Sequence, residues 1–264
     1  MKDENLFKII ENKIIFLLLP GASIEELELR IKNWEKYLNK ICYAGMNYFN
    51  IIENNILSKI TKHFDIVFDC SEVHYDLLYE TKIRIPRFSE FLARNEINRL
   101  ITTHQIVNKM DGLMNDAVLN KWMDKVTYIE PYIEKYWKFA TNSLSLYLMM
   151  LSLFGARKII LFGCDGWRGN PYHPEENVNA YYKKEAIMGE RTIAFNDPYK
   201  CNLYGESIDF NTSFPKFFMW FCGENKVIPP VILNCSKIKH GKEYFTMFNI
   251  FPIIEYDQIL EELC

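Results

Sequence analysis

The strongest constraint on the fold is a run of six apolar residues, Ile14 to Leu19 (IIFLLL), which Pro20 and Gly21 end. A continuous apolar run of this length is typical of a strand that is covered on both faces, because a strand with one wet face alternates apolar and polar residues. Ser23 then stands where a helix N-cap is expected, and acidic residues follow it in the first turn. We therefore predict a buried strand, a tight turn and a helix.

The same alternation of short apolar runs and longer helical stretches continues along the chain. Further strands are predicted at Lys40 to Gly45, Asp65 to Cys70, Arg99 to Thr103, Val126 to Ile129, Lys158 to Gly163 and a segment ending at Ser236. A helix is predicted from Asn142 to Gly155, which leads directly into a strand. This order predicts an α/β fold with a doubly wound, mostly parallel, Rossmann-like sheet. We predict a single nucleotide-binding domain over residues 1–264, with an irregular insertion or lid at about 72–138.

Composition excludes several classes of protein. The chain has 31 Lys and Arg against 34 Asp and Glu, a net charge of -3, whereas domains that neutralise nucleic-acid phosphates are usually basic. A chain that is 49% hydrophobic is not disordered over most of its length. The seven cysteines are odd in number and none has C-x-x-C spacing. We expect reduced core thiols in the cytosol and no structural metal site.

The amino terminus does not look like a targeting segment. Asp3, Glu4 and Glu11 interrupt it, and its apolar run is far too short to cross a bilayer. The second long apolar stretch is broken by Gly155 to Lys158 and is interpreted as a buried helix followed by a buried strand. We expect a cytoplasmic protein without a transmembrane segment. This expectation is compatible with peripheral association with the inner face of the membrane and with a homo-oligomer.

Polar or glycine residues follow four of the predicted strands and open one helix, and ligands of such sheets bind at the carboxyl ends of the strands. Gly21 permits a close approach of a phosphate to the following helix, or the turn is simply capped. Asn47 binds a base or ribose, or caps the next helix. Asp69 contacts a ribose hydroxyl or a metal, or caps the next turn. Ser143 opens the buried helix and can donate to a phosphate.

The segment TNSLSLYLMMLSLFGARKIILFGCDG, residues 141–166, resembles the hallmark of a Rossmann-like superfamily. This superfamily includes bacterial lipooligosaccharide sialyltransferases, flagellar motility accessory factor proteins and archaeal-type 6-hydroxymethyl-dihydropterin pyrophosphokinases. The turn PGASI is similar to the family's G-P-S-L turn, and VILNCS is similar to its late strand ending in N-x-S. The resemblance covers nearly the whole chain and is least clear in the middle.

The resemblance implies a nucleotide site built from the strand-end segments. It places the nucleotide against Gly21, Ala22, Ser23, Asn47, Thr141, Asn142, Ser143, Gly163, Cys164, Asp165 and Gly166. Trp167, Arg168 and Tyr172 are candidates for stacking on or pairing with the substrate, or they belong to a surface loop.

Two departures concern the chemistry. Pro20 stands where the family often has Asn, and the stretch TIAFNDPYKCNLYGES, residues 192–207, has no counterpart of the histidine that sialyltransferases use as general base. His173 is the candidate for that role, because a histidine with a near-neutral pKa can accept a proton from a hydroxyl, or it is simply a solvated loop residue. His63, His74, His104 and His240 are assigned no role.

Three functions compete. The first is a glycosyltransferase that uses a nucleotide-activated sugar, most simply a CMP-linked sialic-acid-like sugar, and passes it to a glycan or other small acceptor without a cofactor. The second is an ATP-dependent pyrophosphokinase acting on a pterin alcohol, and only this function requires Mg²⁺, which Asp69 and Asp165 would face. The third is a degenerate member that binds a nucleotide without turnover.

Overall fold

A computed structural model provides the structure, which describes the chain in twelve segments. These are residues 3–19, 40–46, 63–69, 92–93, 96–104, 107–108, 116–140, 143–164, 213–235, 238–240, 243–245 and 250–263.

Nine strands lie within the described residues. They are β1 (Ile14–Leu18), β2 (Ile41–Met46), β3 (His63–Asp69), β4 (Glu96–Thr102), β5 (Val126–Tyr128), β6 (Lys158–Phe162), β7 (Val231–Asn234), β8 (Ile238–His240) and β9 (Glu243–Phe245). The described helices are α1 (Glu4–Ile10), α2 (Asp116–Met123), α3 (Glu130–Tyr136), α4 (Ser143–Leu153), α5 (213–225) and α6 (Ile259–Leu263). Short 3-10 turns stand at Trp137–Phe139 and Tyr256–Gln258.

Seven of these strands form one sheet in the order β5-β4-β3-β2-β1-β6-β7, and every neighbouring pair is parallel. The chain first adds strands outward from β1 to β5 and then returns to place β6 on the other side of β1. The strand order therefore reverses between β1 and β6. The prediction of a doubly wound α/β fold with a parallel sheet is confirmed. β8 and β9 form a separate antiparallel pair, which the sequence pattern did not predict.

Both faces of the sheet are covered, which explains the continuous apolar runs. Ile15 and Leu17 of β1 belong to one hydrophobic cluster, and Phe16 and Leu18 belong to the other. The first cluster includes residues of α1, α3, α4 and α5, and the second includes residues of α2 and α6. Each strand residue of β1 is fully buried because successive side chains point to opposite, covered faces.

The middle of the chain contributes two strands to this sheet. β4 pairs with β3, and β5 pairs with β4 at the sheet edge. These strands match the two that the sequence predicts there. The lid at about 72–138 stays a prediction, because much of that stretch lies outside the described residues.

Four of the seven cysteines are described, and all four are buried and outside any disulfide: Cys42, Cys164, Cys222 and Cys235. Burial raises the pKa of the Cys222 thiol to about 11. Burial also raises the pKa of Cys42 well above its ordinary value, and the Asp65 carboxylate adds to the rise against the opposing charge of Lys13. All four side chains lie in the core, where the sequence analysis expects them.

Gly155 ends α4 in the left-handed region, with a φ of 85°. The Ala156 N–H donates to the Leu151 carbonyl, and the Gly155 N–H donates to the Ser152 carbonyl. This pattern satisfies carbonyls that a helix end leaves without partners. The prediction of a C′ glycine at this position is confirmed, and the turn feeds the chain directly into β6.

We expect glycine-to-alanine changes at two positions to have opposite effects. Gly155→Ala should lower the free energy of unfolding by about 1 kcal/mol, because the left-handed φ is strained for alanine. A Cβ there would meet its nearest atom at 3.6 Å, so steric overlap adds nothing. Gly223→Ala, within α5 and with no atom within 4 Å of the added Cβ, should raise it by about 0.5–1 kcal/mol. Urea denaturation measures both, and a shift of the same sign in both variants contradicts this account.

Candidate functional site at the carboxyl edge of the sheet

The reversal of strand order places the ends of β1 and β6 side by side. Leu18 pairs with Phe162, and the N–H of Leu19 donates to the Phe162 carbonyl at 2.8 Å. In doubly wound sheets, ligands bind in the crevice outside the carboxyl ends of the strands at this reversal. The Pro20–Gly21 turn follows β1 in the sequence, and Gly163 follows β6. Gly163 therefore lies at this crevice, whereas the Pro20–Gly21 segment lies outside the described residues.

Gly163 turns the chain away from the sheet at the end of β6. Its φ is 68°, in the left-handed region where a side chain is disfavoured. Cys164 follows and is 1% exposed, within the hydrophobic cluster that holds α4. The two residues therefore act through the backbone conformation of the turn and through packing beneath it.

Asn234 supports this turn from the neighbouring strand, although the sequence analysis assigned it no role. Its side chain is fully buried, and its Nδ2 donates to the Cys164 carbonyl at 3.4 Å. The Cys235 N–H donates to the Leu161 carbonyl at 2.9 Å. Asn234 and Cys235 therefore both donate to carbonyls at the carboxyl end of β6 and in the turn that follows it. The signal was present in the VILNCS segment, where a polar residue interrupts a buried strand.

Asp69 is the last residue of β3 and is only 1% exposed. It pairs in register with Thr102 of β4, whose Oγ1 donates to the main-chain carbonyl of Asp69 at 2.6 Å. The sequence places Asp69 at a strand tip, and the structure places this tip at the carboxyl edge. Among the described residues, no cluster of three or more His, Cys, Asp or Glu is arranged to hold a metal ion.

Ser143 is the first residue of α4 and is half-buried. One turn later the Tyr147 ring stacks on Phe68, with the ring centroids 4.1 Å apart. Phe68 directly precedes Asp69, so α4 begins over the carboxyl end of β3. The structure thus brings Ser143 and Asp69 to the same stretch of the edge.

The distance along the edge between Asp69 and Gly163 suits an extended ligand. Asp69 ends β3 and Gly163 follows β6, with β2 and β1 between them. Three strand spacings amount to about 14 Å. The other predicted site residues lie outside the described residues: Gly21, Ala22, Ser23, Asn47, Thr141, Asn142, Asp165, Gly166, Trp167, Arg168, Tyr172 and His173.

A second polar group at this edge was not predicted from the sequence. His104 follows the end of β4, and its ring stacks on Tyr128 at the end of β5, with centroids 3.5 Å apart and ring planes 5° apart. Glu130, in the first turn of α3, accepts the main-chain N–H of His104 at 2.6 Å and lies 3.2 Å from the ring Nδ1. Spacing along the chain gave no signal of this group, because its members come from different elements.

Within the ranges that the structure describes, no helix is both long and apolar enough to span a bilayer. This agrees with the interpretation of the 143–163 stretch as a buried helix and a buried strand.

Comparisons with solved structures find similarity to a sialyltransferase. The chain is similar to CstII from Campylobacter jejuni in complex with the substrate analogue cytidine-5'-monophosphate, with 11% identity, a TM-score of 0.49, and 93% of this chain and 86% of that chain covered. It is similar to the complex of CstII with CMP-3FNeuAc, with 13% identity, a TM-score of 0.40 and coverages of 84% and 81%. It is also similar to the complex with a trisaccharide acceptor and CMP, with 12% identity, a TM-score of 0.38 and coverages of 84% and 80%.

No protein-family description matches the chain, and no curated protein matches it by sequence. The assignment to the doubly wound α/β class rests on the order and direction of the strands in the sheet itself.

Proposed function

We propose that this chain is a glycosyltransferase that takes a sugar from a nucleotide donor, specifically a CMP-linked sialic-acid-like sugar, in the synthesis of surface glycans. One observation carries the proposal: the strand order reverses between β1 and β6. The two glycine segments that resemble those of the superfamily, at Gly21 and Gly163, follow these two strands in the sequence. A crevice at this position is the usual nucleotide site of such folds.

The net charge of the chain favours a nucleotide donor over a polyanion as the ligand. The chain has a net charge of -3, so a phosphate site here relies on hydroxyls and backbone N–H groups rather than on a basic patch. Ser143 supplies a hydroxyl at the start of α4, above the end of β3. The Gly163 turn leaves space for the close approach of a ligand, because glycine adopts this left-handed conformation and no Cβ stands there.

The proposed reaction is a direct displacement at the anomeric carbon of the donor sugar. A base takes the proton from the acceptor hydroxyl, and donors at the edge stabilise the leaving nucleoside monophosphate. The sequence predicts His173 as this base. No cofactor is required, the acceptor is a glycan or other small molecule, and the proposed location is the cytoplasm or the inner face of the membrane.

Nucleotide binding is tested by thermal shift with CMP, UDP, GDP and ATP, each with and without Mg²⁺. We expect stabilisation by CMP, because a ligand at a hundred times its Kd adds about 2.7 kcal/mol. Release of CMP from CMP-sialic acid is the accompanying activity measurement. Stabilisation by ATP only in the presence of Mg²⁺ would favour the pyrophosphokinase, and no stabilisation by any nucleotide would overturn the proposal.

A matched pair of glycine variants tests the location of the site. Gly163→Ala should weaken CMP binding about tenfold, because the strain of a left-handed alanine, about 1–3 kcal/mol, is relieved by moving the turn. Gly155→Ala carries the same kind of strain at the opposite end of β6. We expect it to destabilise the protein without changing the Kd for CMP. Equal Kd values for both variants would place the nucleotide elsewhere.

A further inference from the structure

We propose that His104, held by Glu130, is the catalytic base that accepts the proton of the acceptor hydroxyl. This inference rests on the proposed glycosyl transfer and replaces the assignment of that role to His173. It starts from a histidine–carboxylate pair at the edge of the sheet where ligands of this fold class bind.

The pair lies beside the predicted site. Thr102 ends β4 and pairs with Asp69 on one side and with Tyr128 on the other. His104 comes two residues after Thr102, and its ring stacks on Tyr128, so it lies at the carboxyl ends of β4 and β5, on the side of β4 that faces away from β3. Ser143 lies over the end of β3, through the stacking of the following helical turn on Phe68. The end of β4 lies one strand spacing, about 5 Å, from the end of β3, and the proposal places the donor sugar between Ser143 and His104 along this edge.

Glu130 lies beside one ring nitrogen of His104 and also holds its main chain. Oε1 of Glu130 lies 3.2 Å from Nδ1 and also accepts the main-chain N–H of His104 at 2.6 Å. A carboxylate oxygen accepts and does not donate, so the proposed tautomer has the hydrogen on Nδ1, beside Glu130, and the lone pair on Nε2. The His104 side chain is 60% exposed, which leaves the ring open to a substrate.

Two neighbours fix the ring and prepare it for a positive charge. The Tyr128 ring lies parallel to it at 3.5 Å and restricts the orientation of its plane. The second oxygen of Glu130, Oε2, is buried, and no group among the described residues donates a hydrogen bond to it. In the proposed step, the Glu130 carboxyl group is the neighbour of the imidazolium that forms when Nε2 takes a proton.

The proposed step balances as follows. The acceptor hydroxyl gives its proton to Nε2 of His104, and its oxygen forms a bond to the anomeric carbon of the donor sugar. The bond between that carbon and the phosphate oxygen breaks, and its electron pair leaves with the nucleoside monophosphate. The proton on His104 is then released to water.

The chain supplies a matched control at the opposite edge of the sheet. His63 begins β3, and its ring nitrogens lie 3.3 Å from an Asp65 oxygen and 3.6 Å from a Glu96 oxygen. It is thus another partly exposed histidine beside carboxylates. It stands at the amino end of the strands, away from the site.

The test compares His104→Asn, Glu130→Gln, His173→Asn and the control His63→Asn in the full chain, with CMP-sialic acid as donor. His104→Asn should lower kcat about 100-fold or more, the usual contribution of a general base, with the CMP thermal shift unchanged. Glu130→Gln, a change at a positioning residue, should lower kcat less than His104→Asn does, with the KM for the donor and the CMP thermal shift unchanged.

The outcomes separate the two proposals. If the wild type transfers sugar and His104→Asn retains its kcat, or if His173→Asn alone abolishes transfer, the role of His104 is overturned and the proposed function stands. If the wild type neither binds CMP nor cleaves the donor, both fall. An equal loss in His63→Asn and His104→Asn would mean that the effect is general destabilisation, and this also overturns the role.

Discussion

Replacement of Phe16 by alanine should lower the free energy of unfolding by about 3–5 kcal/mol, a large effect for one side chain. Phe16 is fully buried in the middle of β1, the strand at which the sheet reverses its order. Its ring meets the edges of Tyr43 on β2, at 5.6 Å, and Phe162 on β6, at 5.2 Å. Alanine would leave a cavity between the two strands that flank the candidate crevice.

Urea denaturation monitored by circular dichroism measures this loss. Ile228→Ala is the control, because Ile228 is 88% exposed and its truncation should change the free energy of unfolding by less than about 0.5 kcal/mol. A loss below about 1.5 kcal/mol in Phe16→Ala would show that the core closes around the missing ring.

The second large effect is expected at Asp3, which fastens α1 to the edge of the sheet. Its carboxylate accepts the N–H groups of Asn5 and Leu6 at 3.0 and 3.1 Å and the hydroxyl of Thr127 on β5 at 2.7 Å. Arg99 of β4 lies 3.9 Å away. Asp3→Ala removes a helix cap and leaves Thr127 without this acceptor, which together should cost about 2–3 kcal/mol.

The contribution of Asp3 depends on pH. Burial alone would raise its pKa, but the Thr127 hydroxyl, the N–H groups of Leu6 and Asn5, and the Arg99 charge outweigh burial and hold the pKa below its ordinary value of 3.8. The folded state therefore favours the charged form. The stabilisation is complete above the unfolded-state value and is lost as the pH falls through the lower, folded-state pKa.

Denaturation of the wild type and of Asp3→Ala across the acid range measures this difference. The stability gap between the two proteins should be constant near neutral pH and should shrink below pH of about 4. Asp257→Ala changes an exposed aspartate in a 3-10 turn and should produce no such gap. A gap that grows with acidity would contradict the lowered pKa of Asp3.

The fold was largely predictable because its strands are buried on both faces. The runs from Ile14 to Leu19 and from Lys158 to Gly163 stand out without knowledge of any partner, and both are strands within a residue of the predicted bounds. α1 was missed although Leu6 and Ile10 lie four apart behind an acidic cap, because this segment was judged only as a targeting signal. The β8–β9 pair was missed because short strands rich in charge have no apolar pattern to recognise.

The site was only partly predictable, because its parts meet through the order of strands in the sheet. Sequence reasoning identifies Asp69 and Gly163 as strand-end residues, but it does not show which strand ends are neighbours. His104 and Glu130 are separated along the chain, and neither stands in a motif. Only the pairing of β4 with β5 brings them together. Asn234 likewise gains its contact with Cys164 from the pairing of β6 with β7.

The position of β1 in the sheet also governs when the crevice forms during folding. β1 needs β6 to complete its second edge, and Ile14 pairs with Lys158, far along the chain. Pairings between distant segments are slow because the entropy of closing the intervening loop must be overcome first. The amino-terminal half of the chain therefore leaves the ribosome with one edge of β1 unpaired. That edge is exposed to pairing with other chains until α4 and β6 have been synthesised.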